Sequence, residues 1–269
     1  MNIIRENVAL MREIGKIAEV AGYLWEKGWA ERNGGNISVN ITEYVSDQIK
    51  SLPSLVQTKP LSPLQFEHLR GNYFYVTGTG KRMRYVAQSP FENGAIIRVS
   101  DAGDTYDIIA ENPVAPTSEL PSHLSMHNYM REIGKGIKVV LHTHPTDMIA
   151  LSHNKNFLEE GVMARILWAM IPESRIVVPR GIGIVPYEIP GSLELAAATI
   201  KKLDKHDVVL WEKHGVLCVG DDIIECFDSI DTLSKSAQIY LTARQAGFEP
   251  EGMTFEQLEE LVPVFNLPS

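Results

Sequence analysis

Apolar residues recur at spacings of three and four at the start of the chain, at Ile4, Val8, Met11, Ile14, Ile17 and Val20. This is the stripe of an amphipathic helix. The run Arg32-Asn33-Gly34-Gly35-Asn36 ends it, because adjacent glycines between asparagines favour turn backbone over helix. A short strand over 37–40 is expected next. Residues 41–70 hold three prolines and no sustained period, which predicts a loop-rich insertion too short for a core of its own. From Asn72 the pattern becomes that of strands: Tyr73-Phe74-Tyr75-Val76, then 95–99 and 105–109 joined by a turn over 100–104. A helix is expected to open in Pro116-Thr117-Ser118-Glu119-Leu120-Pro121 and to run to about Ile133, with Thr117 or Ser118 as its cap. The apolar strand Val139-Val140-Leu141 then leads into His142-Thr143-His144-Pro145. Beyond it the pattern predicts a helix over 157–170, strands over 175–178 and 181–183, and an alanine-rich helix after Ser192. Strands over 208–211 and 215–219, a long helix over 222–244 and a short acidic tail helix follow. This alternation predicts one α/β domain over 1–269, with helices covering both faces of a central sheet.

Composition narrows the function classes. With 269 residues, 44% hydrophobic and 22% charged, the chain can bury a core without disulfides or a structural metal. It is neither a disordered nor a fibrous protein, and not a disulfide-stapled miniprotein. The formal net charge of -9 argues against nucleic acid or an anionic membrane as the main partner, but permits a local cationic pocket for a small anion. Cys218 and Cys226 have no metal-like or redox-like spacing. Residues 1–10 hold no apolar leader core, and no window approaches the roughly 18 uncharged apolar residues of a membrane span. A soluble cytoplasmic protein is expected.

The candidate chemistry is concentrated in histidines. His142 and His144, two residues apart at the end of a strand, share one face and place two imidazoles together, as zinc prefers. A pair does not close a site. His214, at a strand edge beside Gly215, is the best third ligand, since glycine lets a metal or substrate approach the backbone. Three histidines with an open position make a catalytic pattern, whereas structural zinc sites usually hold four ligands rich in sulfur. His123 and His127, four apart on the expected helix, also have a ligand spacing, and pattern alone does not choose between the pairs. Glu119 is either a dipole partner of the helix it precedes or a carboxylate aimed inward by the rigid corner between Pro116 and Pro121. The turns around Asn33–Asn36, Thr77–Gly80 and Thr117–Ser118 offer N–H groups and hydroxyls able to hold a phosphate, with Lys81 of suitable sign. None matches a Walker or dinucleotide fingerprint.

Five segments occur together in one order: Glu31-Arg32-Asn33-Gly34-Gly35-Asn36, Thr77-Gly78-Thr79-Gly80-Lys81, Pro116 to Pro121, His142-Thr143-His144-Pro145 and Lys213-His214-Gly215. Over nearly the whole chain they resemble the class II aldolases and their epimerase relatives. The length, the insertion after Asn40, the stretch Trp25 to Asn36 and the helix end Thr232 to Gln238 most resemble the branch acting on L-rhamnulose 1-phosphate. The resemblance implies a three-layer α/β/α sandwich around a mixed, largely antiparallel sheet, and a homotetramer with active sites between subunits. It implies one zinc ion per subunit on His142, His144 and His214, and reversible cleavage of that phosphosugar to dihydroxyacetone phosphate and L-lactaldehyde. Glu119 would then move the C3 proton, and Glu173 of a neighbouring subunit would handle the proton on the C4 oxygen. Asn33, Asn36, Thr77, Gly78, Thr79, Thr117 and Ser118 match the regions that hold the phosphate. Fuculose-phosphate aldolases, ribulose-phosphate 4-epimerases and non-catalytic scaffolds of the same fold are the alternatives.

Overall fold

Residues along the central strands send alternate side chains to opposite faces, one packed in a single apolar cluster and the other in two, so the sheet is buried on both faces. In the computed structural model, which describes residues 3–61 and 63–268, the strands are β1 (Asn36–Asn40), β2 (Val56–Pro60), β3 (Tyr73–Thr77), β4 (Gly94–Val99), β5 (Thr105–Ala110), β6 (Val139–Thr143), β7 (Ile182–Val185), β8 (Val208–Trp211) and β9 (Gly215–Gly220). Met1, Asn2, Ser62 and Ser269, and the side chains of Gln57 and Thr58, lie outside the described residues. The strand order is β2-β5-β4-β3-β1-β6-β9-β8-β7. Every neighbouring pair is antiparallel except β7 with β8. The fold is thus α/β, as the alternation of elements predicts, on the mixed, largely antiparallel sheet that the family resemblance implies.

One face carries Ile37, Val39, Tyr75, Leu141, Leu210 and Val216, packed with residues of helices Val8–Glu26, Val162–Met170 and Ile223–Gln245. The opposite face carries Phe74, Val76, Val140, Val209 and Leu217, packed with residues of helices Leu120–Glu132 and Leu193–Leu203. The alternation is the period-two direction of strand side chains. Two buried faces explain why the strands read as continuous apolar runs.

Several expectations change in the structure. Asn7 caps a new helix by accepting the Leu10 N–H at 3.1 Å, which separates the short helix Ile3–Glu6 from Val8–Glu26. The buried stripe is accordingly Leu10, Ile14, Ile17, Val20, Ala21 and Leu24, and Val8 is 81% exposed. The insertion over 41–70 supplies β2, which pairs with β5 at the sheet edge. The β-branched run over 175–178, expected as a strand, lies largely in the helix Pro172–Val177. Pro172 occupies the first turn, where its fixed φ suits a helix and its missing N–H has no partner to lose. Ser174 pairs with Ser236 on the long helix and the Arg175 guanidinium stacks over Trp168, so tertiary contacts override strand preference. The helix expected over 157–170 begins at Val162, after Gly161 in the left-handed region.

Candidate active site and metal centre

The site forms where β1, β6 and the β8–β9 turn meet. Asn36 opens β1 and pairs with His142 on β6, which pairs in turn with Leu217 on β9. His144 lies just past the end of β6, held by its N–H to Trp29 O at 2.9 Å. His214 sits in the turn between β8 and β9, where Lys213 takes a φ of 60° and the His214 N–H closes onto Trp211 O at 3.0 Å. Trp211 packs against His142 with ring centroids 4.4 Å apart.

The three imidazoles each offer a ligand nitrogen within 4.8 Å of the others. Their hydrogen-bond partners decide the tautomers. His142 Nδ1 donates to Val216 O at 3.0 Å, and His144 Nδ1 donates to Glu31 Oε1 at 2.7 Å. A neutral imidazole carries one proton, so with both rings neutral the two Nε2 atoms, 3.2 Å apart, present lone pairs to each other. The His214 Nδ1 is buried with no partner among the described residues. Burial pushes His142 well below its ordinary value, with the neighbouring His144 and His214 adding to the shift. Burial, again reinforced by His144, lowers His214 to about 4. Facing lone pairs repel unless an electropositive guest lies between them, and neutral imidazoles oriented by outer partners are what a metal requires. The residues present therefore fit a divalent metal ion.

Glycines make room for this arrangement. A Cβ on Gly215 would stand 2.6 Å from Thr143 O, 2.8 Å from His144 Cδ2 and 2.9 Å from His142 Cε1. Gly35 takes a φ of +74° with its side-chain position 2.8 Å from His142 O.

The triad opens into a cavity of about 370 Å³ lined also by Asn33, Asn36, Thr77, Gly78, Thr79, Thr117, Ser118 and Glu119. Eight expected residues from three turns and a helix start thus meet the three histidines. Glu119 is the N-cap residue of the helix Leu120–Glu132 and makes no capping bond with its side chain. Its carboxylate instead accepts the Asn36 amide at 2.6 Å. Thr117, one of the two expected caps with Ser118, accepts the Glu119 N–H through Oγ1 at 3.3 Å, and so braces the corner without capping the helix. The backbone N–H groups of Gly78, Thr79 and Thr117 are engaged by Asn93, Ala115 and Thr77 carbonyls. The Thr77 hydroxyl accepts the Ile37 N–H at 3.0 Å. The hydroxyls of Thr79 and Ser118, the Asn33 amide and the cations Arg32 and Lys81 line the cavity and have the donor chemistry an anion needs. Glu173 is not among the lining residues; it is exposed on the helix Pro172–Val177.

His123 lies apart from the triad, bonded to Asn36 Oδ1 and Ser38 Oγ. Three contributors escaped the sequence reading: Glu31, which orients His144; Arg32, held at a φ of 49°; and Ser38, buried between His123 and His127. Glu31 and Arg32 adjoin the Asn33 turn, and that proximity is the only signal the sequence offered for them.

Residues 15–241 match the family model described as Class II Aldolase and Adducin N-terminal domain. The chain belongs to the class II aldolase family. This class II aldolase family member is 52% identical over 267 residues to rhamnulose-1-phosphate aldolase of Bacteroides thetaiotaomicron, covering 99% of each chain. It is 36% identical to rhamnulose-1-phosphate aldolase of Enterococcus faecalis, over 97% of this chain and 94% of the relative. The crystal structure of a sugar-phosphate aldolase from Thermotoga maritima superposes with a TM-score of 0.78 at 33% identity, covering 91% of this chain and all of the other.

Proposed function

We propose that the protein is an aldehyde-lyase that reversibly cleaves L-rhamnulose 1-phosphate to dihydroxyacetone phosphate and L-lactaldehyde. The observation that carries this reading is the convergence of three histidines, each offering a ligand nitrogen, and Glu119 on one cavity. The full-length similarity to rhamnulose-1-phosphate aldolases supports the choice of sugar. The family also spans the adducin N-terminal domain, but a binding scaffold has no need of lone pairs gathered in a polar pocket.

The ion proposed for His142, His144 and His214 is zinc, because an all-imidazole, sulfur-free set with room for further ligands suits it. When bound, it supplies Lewis-acid stabilisation of the negative charge left on the dihydroxyacetone phosphate fragment when the C3–C4 bond breaks. Glu31 and the Val216 carbonyl hold the His144 and His142 rings with Nε2 turned inward. Glu119 returns the proton to C3, or removes it in the condensation direction, from a carboxylate fixed by Asn36. Asn33, Asn36, Thr77, Gly78, Thr79, Thr117 and Ser118 form the phosphate end of the pocket, with Arg32 and Lys81 providing positive charge in a chain whose net charge is -9. Glu173 is assigned to the proton on the C4 oxygen, reaching the pocket of a neighbouring subunit in a homotetramer. The chain is read as a single domain of the cytoplasm; among its described residues no helix is long and apolar enough to cross a membrane.

The test is incubation of the purified, zinc-replete protein with L-rhamnulose 1-phosphate, L-fuculose 1-phosphate and ribulose 5-phosphate, reading dihydroxyacetone phosphate from the two 1-phosphates and xylulose 5-phosphate from ribulose 5-phosphate. Rhamnulose 1-phosphate should be cleaved fastest, with activity lost on chelation and in His142→Ala. Preference for either other sugar, or activity surviving both losses, would overturn the reading.

A further inference from the structure

Behind Glu119 lies a chain of polar groups that the proposed chemistry does not use. Asn36 Nδ2 donates to Glu119 Oε2 at 2.6 Å, and Asn36 Oδ1 meets His123 Nε2. His123 Nδ1 meets Ser38 Oγ at 2.8 Å, and Ser38 Oγ meets His127 Nε2 at 2.9 Å. His123, His127 and Ser38 are each at most 1% exposed. His123 and His127 lie one helical turn apart on the helix Leu120–Glu132 and both turn toward β1, which supplies Asn36 and Ser38.

The proton positions follow from the two ends. A carboxylate only accepts, so the Asn36 amide must point its NH₂ at Glu119 and its oxygen at His123. That oxygen requires a donor, so His123 carries its proton on Nε2. Burial lowers both His123 and His127 to about 3, so each ring is neutral and holds one proton. His123 Nδ1 then accepts from the Ser38 hydroxyl, and the hydroxyl oxygen accepts from His127 Nε2–H. Four successive donors point the same way and end on Glu119. Aligned bonds of this kind polarise one another, and their common direction favours an acceptor-only carboxylate at the end. Without the His123 donor, the amide could turn over and set its oxygen against the carboxylate.

We propose that His123 and His127 are positioning residues, which lock the Asn36 amide through Ser38 and so fix the Glu119 carboxylate for proton transfer. This rests on the reading of Glu119 as the group that moves the C3 proton.

Two measurements decide it. In the first, the wild type, His123→Leu and His123→Gln are compared for cleavage of L-rhamnulose 1-phosphate and for exchange of the C3 hydrogen of dihydroxyacetone phosphate with deuterated water. His123→Leu should lower kcat and the exchange rate on the order of tenfold or more, with KM and bound metal unchanged. His123→Gln, whose amide can still donate to Asn36, should recover most of the loss. Unchanged kcat and exchange in a folded His123→Leu would overturn the proposal. In the second, nitrogen NMR of histidine-labelled wild-type protein should find His123 and His127 neutral at neutral pH, each with its proton on Nε2. A cationic ring, or a proton on His123 Nδ1, would overturn the proposal even if the variants do not fold. A wild type that neither exchanges nor cleaves would overturn the proposed function instead, and the NMR result would still decide the hydrogen-bond chain.

Discussion

At Gly215 the volume a methyl group would need is already filled by the Thr143 carbonyl and the edges of the His142 and His144 rings. Two of the three neighbours are proposed metal ligands, so any added side chain acts first on the triad. Gly215→Ala is expected to push the rings apart and reduce bound zinc to well below one per chain, with activity falling in proportion. Metal analysis of the purified variant beside the wild type checks this; a full complement of metal in the variant would contradict it. Strand periodicity and a flanking glycine, which are local signals, made His142, His144 and His214 candidates, and the family resemblance chose them over His123 and His127. Glu31, which holds His144 at 2.7 Å, adjoins the Asn33 turn, but nothing local points to its partner, more than a hundred residues away.

The helix Leu120–Glu132 presents two faces to two requirements. Leu120 and Leu124 pack into one apolar cluster and Met126 and Met130 into another, while His123 and His127 turn to the polar residues of β1. Both imidazoles have an ordinary value of 6.5 and are lowered by burial to about 3 in the folded protein. The unfolded chain therefore binds more protons between those values. The stability tied to keeping these rings neutral is complete above pH 6.5 and is lost as the pH falls toward 3. Each group can contribute a slope of up to about 1.4 kcal/mol per pH unit in that window. Urea unfolding of the wild type and His127→Gln at neutral and mildly acidic pH checks this, and the variant should lose less stability on acidification. Equal losses would remove His127 from the account. At the same scale, the run over 175–178 reads as a strand by composition, yet Pro172 and the burial of Ser174 and Arg175 make it helical. Local propensity is weak enough for packing to reverse it.

Across the whole molecule, the three histidines and the side chains proposed to hold the phosphate share one cavity, while Glu173 stands exposed outside it. If Glu173 serves a neighbouring subunit, two inactive variants should rescue each other. Mixing His142→Ala with Glu173→Gln under subunit exchange should restore part of the activity, because some sites then receive an intact triad and an intact Glu173. Activity that stays at the level of the separate variants would place both residues in one chain or remove Glu173 from the reaction. The choice of His142, His144 and His214 over His123 and His127 came from the family resemblance. The sequence by itself determined most of the alternation of helices and strands, and offered the histidines, Glu119 and the pocket turns as candidates. These are set by periodicity, turn chemistry and residue type, which act over a few neighbours. Only the tertiary structure decided that β2 joins the sheet edge, that Thr117 braces the corner, and that His123 supports Asn36 and lies apart from the triad. Each of these depends on which group from a distant part of the chain arrives at hydrogen-bonding distance, and a buried polar atom takes whatever partner the packing of the sheet delivers.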